Sequence, residues 1–355
     1  MLTNIFFLLL HWVDLLSLYN LCKLYFFCFT ATNPATKRIA THVFNTALIN
    51  AKICLSKGSS TPKVNLLRKV TTANTNIQAT DRKYHVYRIE GQDLAPAGFG
   101  QAGTRYMTLS FWHKHTKTGI HSLAINNAAR NRSYPMEYTQ TTTNTWEKAE
   151  LTFPVDTTGT WLGGNGIGMW IFFGAAFGSN YAGTVNQWGS SQKYGTANQV
   201  NNYDSTSNSM QFTGVQLELG KVATPFEHRS HGEELALCQR YFEKIEYDTS
   251  KDSGGGDAAE TLICNGYAYT STRSLNYLKF NVQKRVPPTV TLVGGANKIE
   301  VLHPTSGWVT TTSFDARANV HGTRLDLVHP SSLTAGYGLE VRLLSGGHIE
   351  IDAEA

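Results

Sequence analysis

Charge is the first thing this chain has little of. Only 16% of its 355 residues are charged, and 31 Lys+Arg against 26 Asp+Glu give a formal net charge of +5. That excess is spread thinly and never gathers into a basic block, so the electrostatic footprint of a nucleic-acid binder is missing and no nucleic-acid partner is expected. Cysteine is scarce as well. Cys22, Cys28, Cys54, Cys238 and Cys264 are odd in number and form no C-x-x-C pair, which indicates neither a disulfide framework nor a zinc site. Cys22 and Cys28 lie in an apolar stretch and Cys238 in a short helical pattern, where a free buried thiol is the ordinary state. Catalytic signatures are absent: there is no G-x-S-x-G elbow, H-E-x-x-H helix, Walker loop or dinucleotide fingerprint. The nearest imitation of a phosphate loop, Gly163-Gly164-Asn165-Gly166, leads into a strand pattern and lacks the Lys-Ser/Thr partner.

Long uninterrupted apolar runs are lacking too. Near the start, Ile5 to Leu10 and Leu24 to Phe29 resemble membrane material, but His11, Asp14 and Lys23 fall within the same stretch. An Asp or Lys at mid-membrane costs about 2.5–3.5 kcal/mol each. No Lys or Arg precedes the run and no A-x-A-like site follows it closely, so a secretory signal is poorly supported. Leu21 before Cys22 argues against a lipoprotein. Residues 1–58 are expected to be an apolar, irregular or helical leader: either a diverged first strand or a non-native start, of the kind an upstream out-of-frame reading would give.

What is present favours strands. Aromatics at 11%, 31 glycines and abundant Thr, Ser and Asn suit many short strands joined by polar turns. Alternation is clear in Tyr106 to Trp112, in Trp146 to Phe153 and in Phe212 to Leu219. In the last of these a break at Gly214 suggests a bulge, with Phe212, Val215, Leu217 and Leu219 as the apolar row and Gln216 and Glu218 facing away. GIGMWIFF at 166–173 is continuously apolar, as a strand covered on both faces would be. Turn clusters at 117–119, 156–159, 163–166 and 201–204 separate these runs. The expectation is an all-β chain: an antiparallel jelly-roll β-sandwich over residues 59–231, a short helix and glycine-rich hinge over 232–257, and a small C-terminal β domain over 258–355. In that last part 279–282, 289–293, 322–328, 338–344 and 347–353 read as strands, and Pro287-Pro288 marks an entry turn.

Several of these segments also carry a family resemblance. Arg88-Ile89-Glu90-Gly91-Gln92-Asp93-Leu94, Ser110-Phe111-Trp112, Thr145-Trp146-Glu147-Lys148 with Thr152-Phe153-Pro154, Gly214-Val215-Gln216-Leu217-Glu218, Ala223 to Arg229 and Glu233 to Phe242 resemble, in order, a recurrent domain of bacteriophage tail-fibre and receptor-binding proteins. That domain is similar to the galactose-binding-like jelly rolls of carbohydrate-binding modules. The resemblance implies a non-catalytic virion adhesin at the tail, extracellular on the host surface. Its implied partners are a host-surface glycan and other tail proteins, its implied assembly a homotrimer.

Sugar binding directs attention to aromatic rings, because a pyranose stacks its apolar face on an exposed ring while amides and acids take its hydroxyls. Trp112, Trp146 and Trp170 lie in strand patterns and are expected in the core. Trp161, Tyr181, Trp188, Tyr194 and Tyr203 lie in Gly/Asn/Ser-rich loops and are the candidate ligand-binding residues. His113 and His115 share one strand face with His121 after a turn, but no acidic or cysteine partner stands at fixed spacing, so no metal is expected there. No cofactor is implied; a structural calcium held by backbone oxygens and an Asp is compatible with the sequence. The sharpest catalytic pattern is Glu350-Ile351-Asp352-Ala353-Glu354, the E-x-D-x-E arrangement of some retaining glycosidases, and a glycan depolymerase is the alternative it offers. A solvated acidic edge strand explains the same pattern. A purely structural spacer is the third reading.

Overall fold

The computed structural model describes residues 42–43, 66–227, 229–247, 261–330 and 333–354. Of the apolar leader only His42–Val43 falls within these residues, as a two-residue strand; the rest of 1–58 and the glycine-rich stretch 248–257 lie outside them. The chain is all-β and forms two compact units, Met1–His231 and Gly232–Ala355.

In the first unit the strands are β1 (His42–Val43), β2 (Leu66–Lys69), β3 (Arg82–Glu90), β4 (Tyr106–His115), β5 (Gly119–Asn127), β6 (Ser133–Gln140), β7 (Glu147–Pro154), β8 (Ile167–Phe177), β9 (Ala182–Gly183), β10 (Gly195–Thr196) and β11 (Ser209–Leu219). They build a sandwich of a five-stranded sheet, β1-β3-β8-β5-β6, and a four-stranded sheet, β2-β11-β4-β7. All pairings in the two sheets are antiparallel except β1 with β3. The chain passes repeatedly from one sheet to the other, as in a jelly roll. Alternation decides what enters the core. Met107, Leu109 and Phe111 of β4 point inward with Leu123 and Ile125 of β5, Met136 and Tyr138 of β6, and Met169, Ile171 and Phe173 of β8. β8 is covered on its other face as well, where Phe172 packs with Tyr84, Val86 and Tyr194. Its continuous apolar run follows from that double burial.

The break at Gly214 is a bulge: the β4–β11 register shifts between Thr213 and Gln216, and Gly214 takes φ +57°. Beyond it the apolar row weakens. Val215 and Leu217 pack against the core while Leu219, at the strand end, is exposed. Gln216 is buried, because residues 224–227 fold over it: its amide donates to Thr224 Oγ1 at 3.2 Å and its carbonyl accepts the Glu227 N–H at 3.1 Å.

The second unit opens with the helix His231–Gln239, whose first residue closes the other unit. Its strands are β12 (Phe242–Glu246), β13 (Thr261–Thr270), β14 (Arg273–Lys279), β15 (Thr289–Val293), β16 (Ile299–His303), β17 (Gly307–Thr310), β18 (Ser313–Ala318), β19 (Gly322–Val328), β20 (Gly338–Leu343) and β21 (His348–Asp352). A seven-stranded antiparallel sheet, β17-β16-β20-β13-β14-β19-β18, and a three-stranded sheet, β12-β21-β15, supply one core that includes Ala268, Leu278, Ile299, Leu325, Val341 and Ile351.

Two expectations change here. Residues 242–246, read as part of a hinge, form a strand, and Tyr241 and Phe242 are buried. The C-terminal acidic strand is not an edge: β21 is the central strand of its sheet, with Asp352 opposite both Phe242 and Thr289. Ile349 and Ile351, fully buried, hold it there, since a strand that gives its whole apolar row to the core gains most when paired on both sides.

Candidate functional site

The structure separates the five candidate aromatics into three places. Trp161 and Trp188 come together, with ring centroids 5.8 Å apart and planes at 85°. Both are half-buried over the sandwich core, and the remainder of each ring faces solvent. Their positions follow from bonds made by the loops that carry them. The Trp161 indole N–H donates to the Thr158 carbonyl at 3.1 Å and that of Trp188 to the Pro154 carbonyl at 2.9 Å. Phe99 lies 4.2 Å from Trp161 and Tyr134 lies 5.1 Å from Trp188, centroid to centroid. Beside them Arg132 grips Asp156 through two bonds, Nε to Oδ2 at 2.6 Å and Nη2 to Oδ1 at 2.9 Å, and its guanidinium stands 5.9 Å from the Trp188 ring centroid. Burial alone would raise the Asp156 carboxyl pKa, but the bonds from Arg132 and Thr158 outweigh it and hold the group below its ordinary range.

Exposed residues 162–166 run alongside. The Gly164 and Gly166 carbonyls accept the N–H groups of Gln92 and Gly91, so this glycine loop is tied down by carbonyls rather than presenting amides to a phosphate. Half-buried indole rings, an ion-paired guanidinium and exposed backbone thus lie together at this place.

Tyr181 and Tyr194 share a second place, on the outer face of the five-stranded sheet. Residues 193–196 are tied there by the Asn126 amide on the Lys193 carbonyl at 2.9 Å and by the Thr196 N–H on Ser122 Oγ at 3.1 Å. Tyr194 is fully buried there, stacked on Tyr84 at 4.5 Å, and Arg82 donates to the hydroxyls of Tyr181 and Tyr194, each at 3.3 Å. Tyr181 is half-buried at 4.8 Å from Tyr194. Tyr203 occupies a third place, buried with the core and with Lys83 Nζ 4.0 Å from its ring centroid. Tyr194 and Tyr203 are thus packing residues, with almost no ring surface open to solvent. Each sits in a polar loop by sequence, yet each loop folds back over a sheet that its ring then seals.

The strand tryptophans change in the opposite sense. Trp112 is 39% exposed, and Trp146 and Trp170 are half-buried. In β4 the inward parity belongs to Met107, Leu109 and Phe111, which turns Trp112 out. Trp170 stands on the outer face of β8 with Arg88 at 4.9 Å and Arg130 at 5.5 Å from its ring. Sequence reasoning missed this cluster. Its signal was available: counting parity from Phe173 inward puts Trp170 outward.

The three histidines do meet, inside the sandwich. His115 lies 5.2 Å from His113 and 4.2 Å from His121, ring to ring. His113 Nδ1 meets Gln140, His115 Nε2 meets the Tyr138 hydroxyl, and both nitrogens of His121 are engaged, by the Lys117 carbonyl and by Asn202; His115 Nδ1 is buried without a hydrogen bond among the described residues. Burial lowers all three, His121 to about 4 and His115 well below the ordinary value, so the rings are neutral. Among the described residues no group of three or more His, Cys, Asp or Glu is placed to hold a metal ion. Cys264 is a free thiol, and Cys238 and Cys264 are both half-buried.

At the C-terminus Glu350 and Asp352 alternate onto one face of β21. Glu350 Oε1 meets His348 Nε2 at 3.1 Å, and burial, with the nearby Glu350 charge, raises the Asp352 carboxyl pKa.

No family model matches the chain, and no curated protein does. Among solved structures, one of cucumber necrosis virus shows 10% sequence identity over 82% of this chain and 96% of that one, with a TM-score of 0.13. A likeness at that level carries no argument about fold or function.

Proposed function

We propose that the chain is a non-catalytic glycan-binding protein of the kind that phage tails use to engage a host surface. The observation that carries this reading is the Trp161–Trp188 pair beside the Arg132–Asp156 ion pair, with indole surface left open to solvent on a rigid sandwich. The rings are oriented by bonds to the backbone, so little order would be lost on binding. A single shallow site of this type binds weakly, and a trimeric fibre would gain affinity through repeated subunits. The resemblance of residues 59–242 to tail-fibre domains supports the same placement on a virion.

A glycan array probed with the full chain tests the proposal. Trp161→Ala and Trp188→Ala should abolish binding while leaving thermal unfolding cooperative; binding that persists in both would remove the site. The depolymerase reading has one observation in its favour, the raised Asp352 carboxyl next to Glu350. Release of reducing ends from a bound polysaccharide, lost in Glu350→Gln, would establish it in place of the adhesin.

A further inference from the structure

The outer face of the seven-stranded sheet in the second unit is built unlike a solvated sheet surface. Three tyrosines stand on it, Tyr267 at 46% exposure, Tyr269 at 54% and Tyr277 at 54%. Cross-strand register arranges their neighbours in rows, because residues paired across antiparallel strands share a face. One row reads Glu340, Asn265, Tyr277, Arg324, Arg317 across β20, β13, β14, β19 and β18. The next reads Gly338, Tyr267, Leu275, Asp326, Asp315, and Arg273 lies beyond it, opposite Val328.

Two features of these rows point to a ligand. First, Arg324 and Arg317 are direct cross-strand partners, a like-charge pairing that ordinarily destabilises a sheet. Their carboxylate partners hold them loosely: Arg324 stands 3.8 Å from Asp326, and Arg317 stands 3.8 Å from Asp315. Asp326 is instead committed to Arg273, which grips it through both oxygens and leaves its side chain only 4% exposed. At this end of the face three guanidinium groups, with exposed Lys279 beside them, therefore answer to one buried and one exposed carboxylate. Second, the phenol end of Tyr277 lies over Gly322, where a Cβ would come within 2.5 Å of the hydroxyl. The ring is laid along the sheet next to the arginine pair. Covering a glycine explains the posture of one ring. It does not explain the paired arginines beside it or the two further exposed tyrosines.

We infer that this face is a second glycan site, specific for an anionic polysaccharide: a uronic or sialic acid unit stacks on Tyr277 while its carboxylate takes the guanidinium groups of Arg324 and Arg317 together. Tyrosine and arginine, with Asn265 for hydroxyls, suit a polar ligand better than an aliphatic protein surface. The positive balance at the β18–β19 end selects a polyanion over a neutral chain. The inference takes its ligand class from the glycan-binding reading above but uses none of the residues of the first unit.

Affinity electrophoresis of the full chain in native gels containing polygalacturonate, polysialic acid or neutral dextran provides the test. Retardation is expected on at least one polyanion and not on dextran, weakening as salt rises. Arg317→Glu and Tyr277→Ala should each weaken it by at least about fivefold, a change of about 1 kcal/mol. Both positions are exposed, and matching thermal unfolding curves verify that the variants fold. Absence of retardation on both polyanions, equal retardation by dextran, or retention of binding in both variants would overturn the inference. Loss in Trp188→Ala alone would overturn it too, while leaving the site in the first unit intact. Concentration-dependent sedimentation of the unmodified chain, abolished by Tyr277→Ala, would assign the face to a second copy of the chain and likewise overturn it.

Discussion

Lys284 and Glu243 form an ion pair with both side chains almost completely withdrawn from solvent, at 0% and 1% exposure. The ammonium also donates to the Gln239 carbonyl at 2.6 Å, so one lysine ties the end of the helix His231–Gln239 to β12. Burial pulls the Lys284 pKa down and the carboxylate pulls it back up, with burial prevailing. Taking either partner away strands a charge in the interior. Glu243→Ala should therefore cost about 3–5 kcal/mol, read from urea unfolding of the second unit, whereas Glu243→Leu with Lys284→Met should recover most of that loss. A double variant no more stable than Glu243→Ala would show that the pair is favourable in itself.

The imidazoles inside the sandwich make it acid-sensitive. His121 is lowered to about 4 in the fold against 6.5 when exposed, so the unfolded chain binds a proton that the folded one refuses. Stability is complete above pH 6.5 and falls as the pH drops toward 4, by up to ~3 kcal/mol from this residue alone. His113 and His115, lowered in the same direction, add to the effect; the Lys117 carbonyl favours protonation of His121 while its ammonium opposes it, and Glu147 favours that of His113. Thermal midpoints of the first unit between pH 7 and 4.5 should fall, and His115→Phe should flatten the fall. An identical slope in the variant would remove the cluster as its cause.

Tyr194 tests whether the segment over the outer sheet face is structural. Tyr194→Phe removes the bonds from Arg82 and Gln192 and should cost about 1 kcal/mol; Tyr194→Ala empties a fully buried site and should cost about 3–5 kcal/mol. Glycan affinity of the Phe variant should match the parent chain. A selective loss of affinity with unchanged stability would return Tyr194 to the binding residues.

Arg132 holds Asp156 ionised beside the tryptophan pair. The folded pKa of this carboxyl is depressed, so its contribution is present above its ordinary pKa of 3.8 and is lost as the pH falls below it. Arg132→Ala leaves a carboxylate of 2% exposure with only Thr158, at a cost of about 1–3 kcal/mol near neutral pH. NMR titration should show the Asp156 carboxyl moving upward in this variant; a value that stays depressed would mean that Thr158 suffices.

Much of the architecture could be read from the order of residues alone. Period-two alternation identified β4, β7 and β11; the doubly apolar run identified β8; the break at Gly214 identified the bulge. Each of these is a local property, because the pleat sends successive side chains to opposite faces whatever the strand's neighbours are. In the second unit β15, β19, β20 and β21 were legible for the same reason; the strand expected at 279–282 is instead β14, which ends at Lys279, and β16, β17 and β18, each only four to six residues long, were not read.

Tertiary structure alone decided which covered surface each ring would meet. Trp112 is the exception that parity could have placed: Met107, Leu109 and Phe111 mark the inner face of β4, and Trp112 falls on the other. Tyr194 and Tyr203 sit in polar loops that the chain folds back over a sheet, whereas Trp161 and Trp188 meet only because loops far apart in sequence end beside one another. The central place of β21, the imidazole stack and the arginine pair of β18 and β19 have the same origin. Each depends on which strands lie next to which, and that is set by long-range burial of apolar rows rather than by any pattern within one segment.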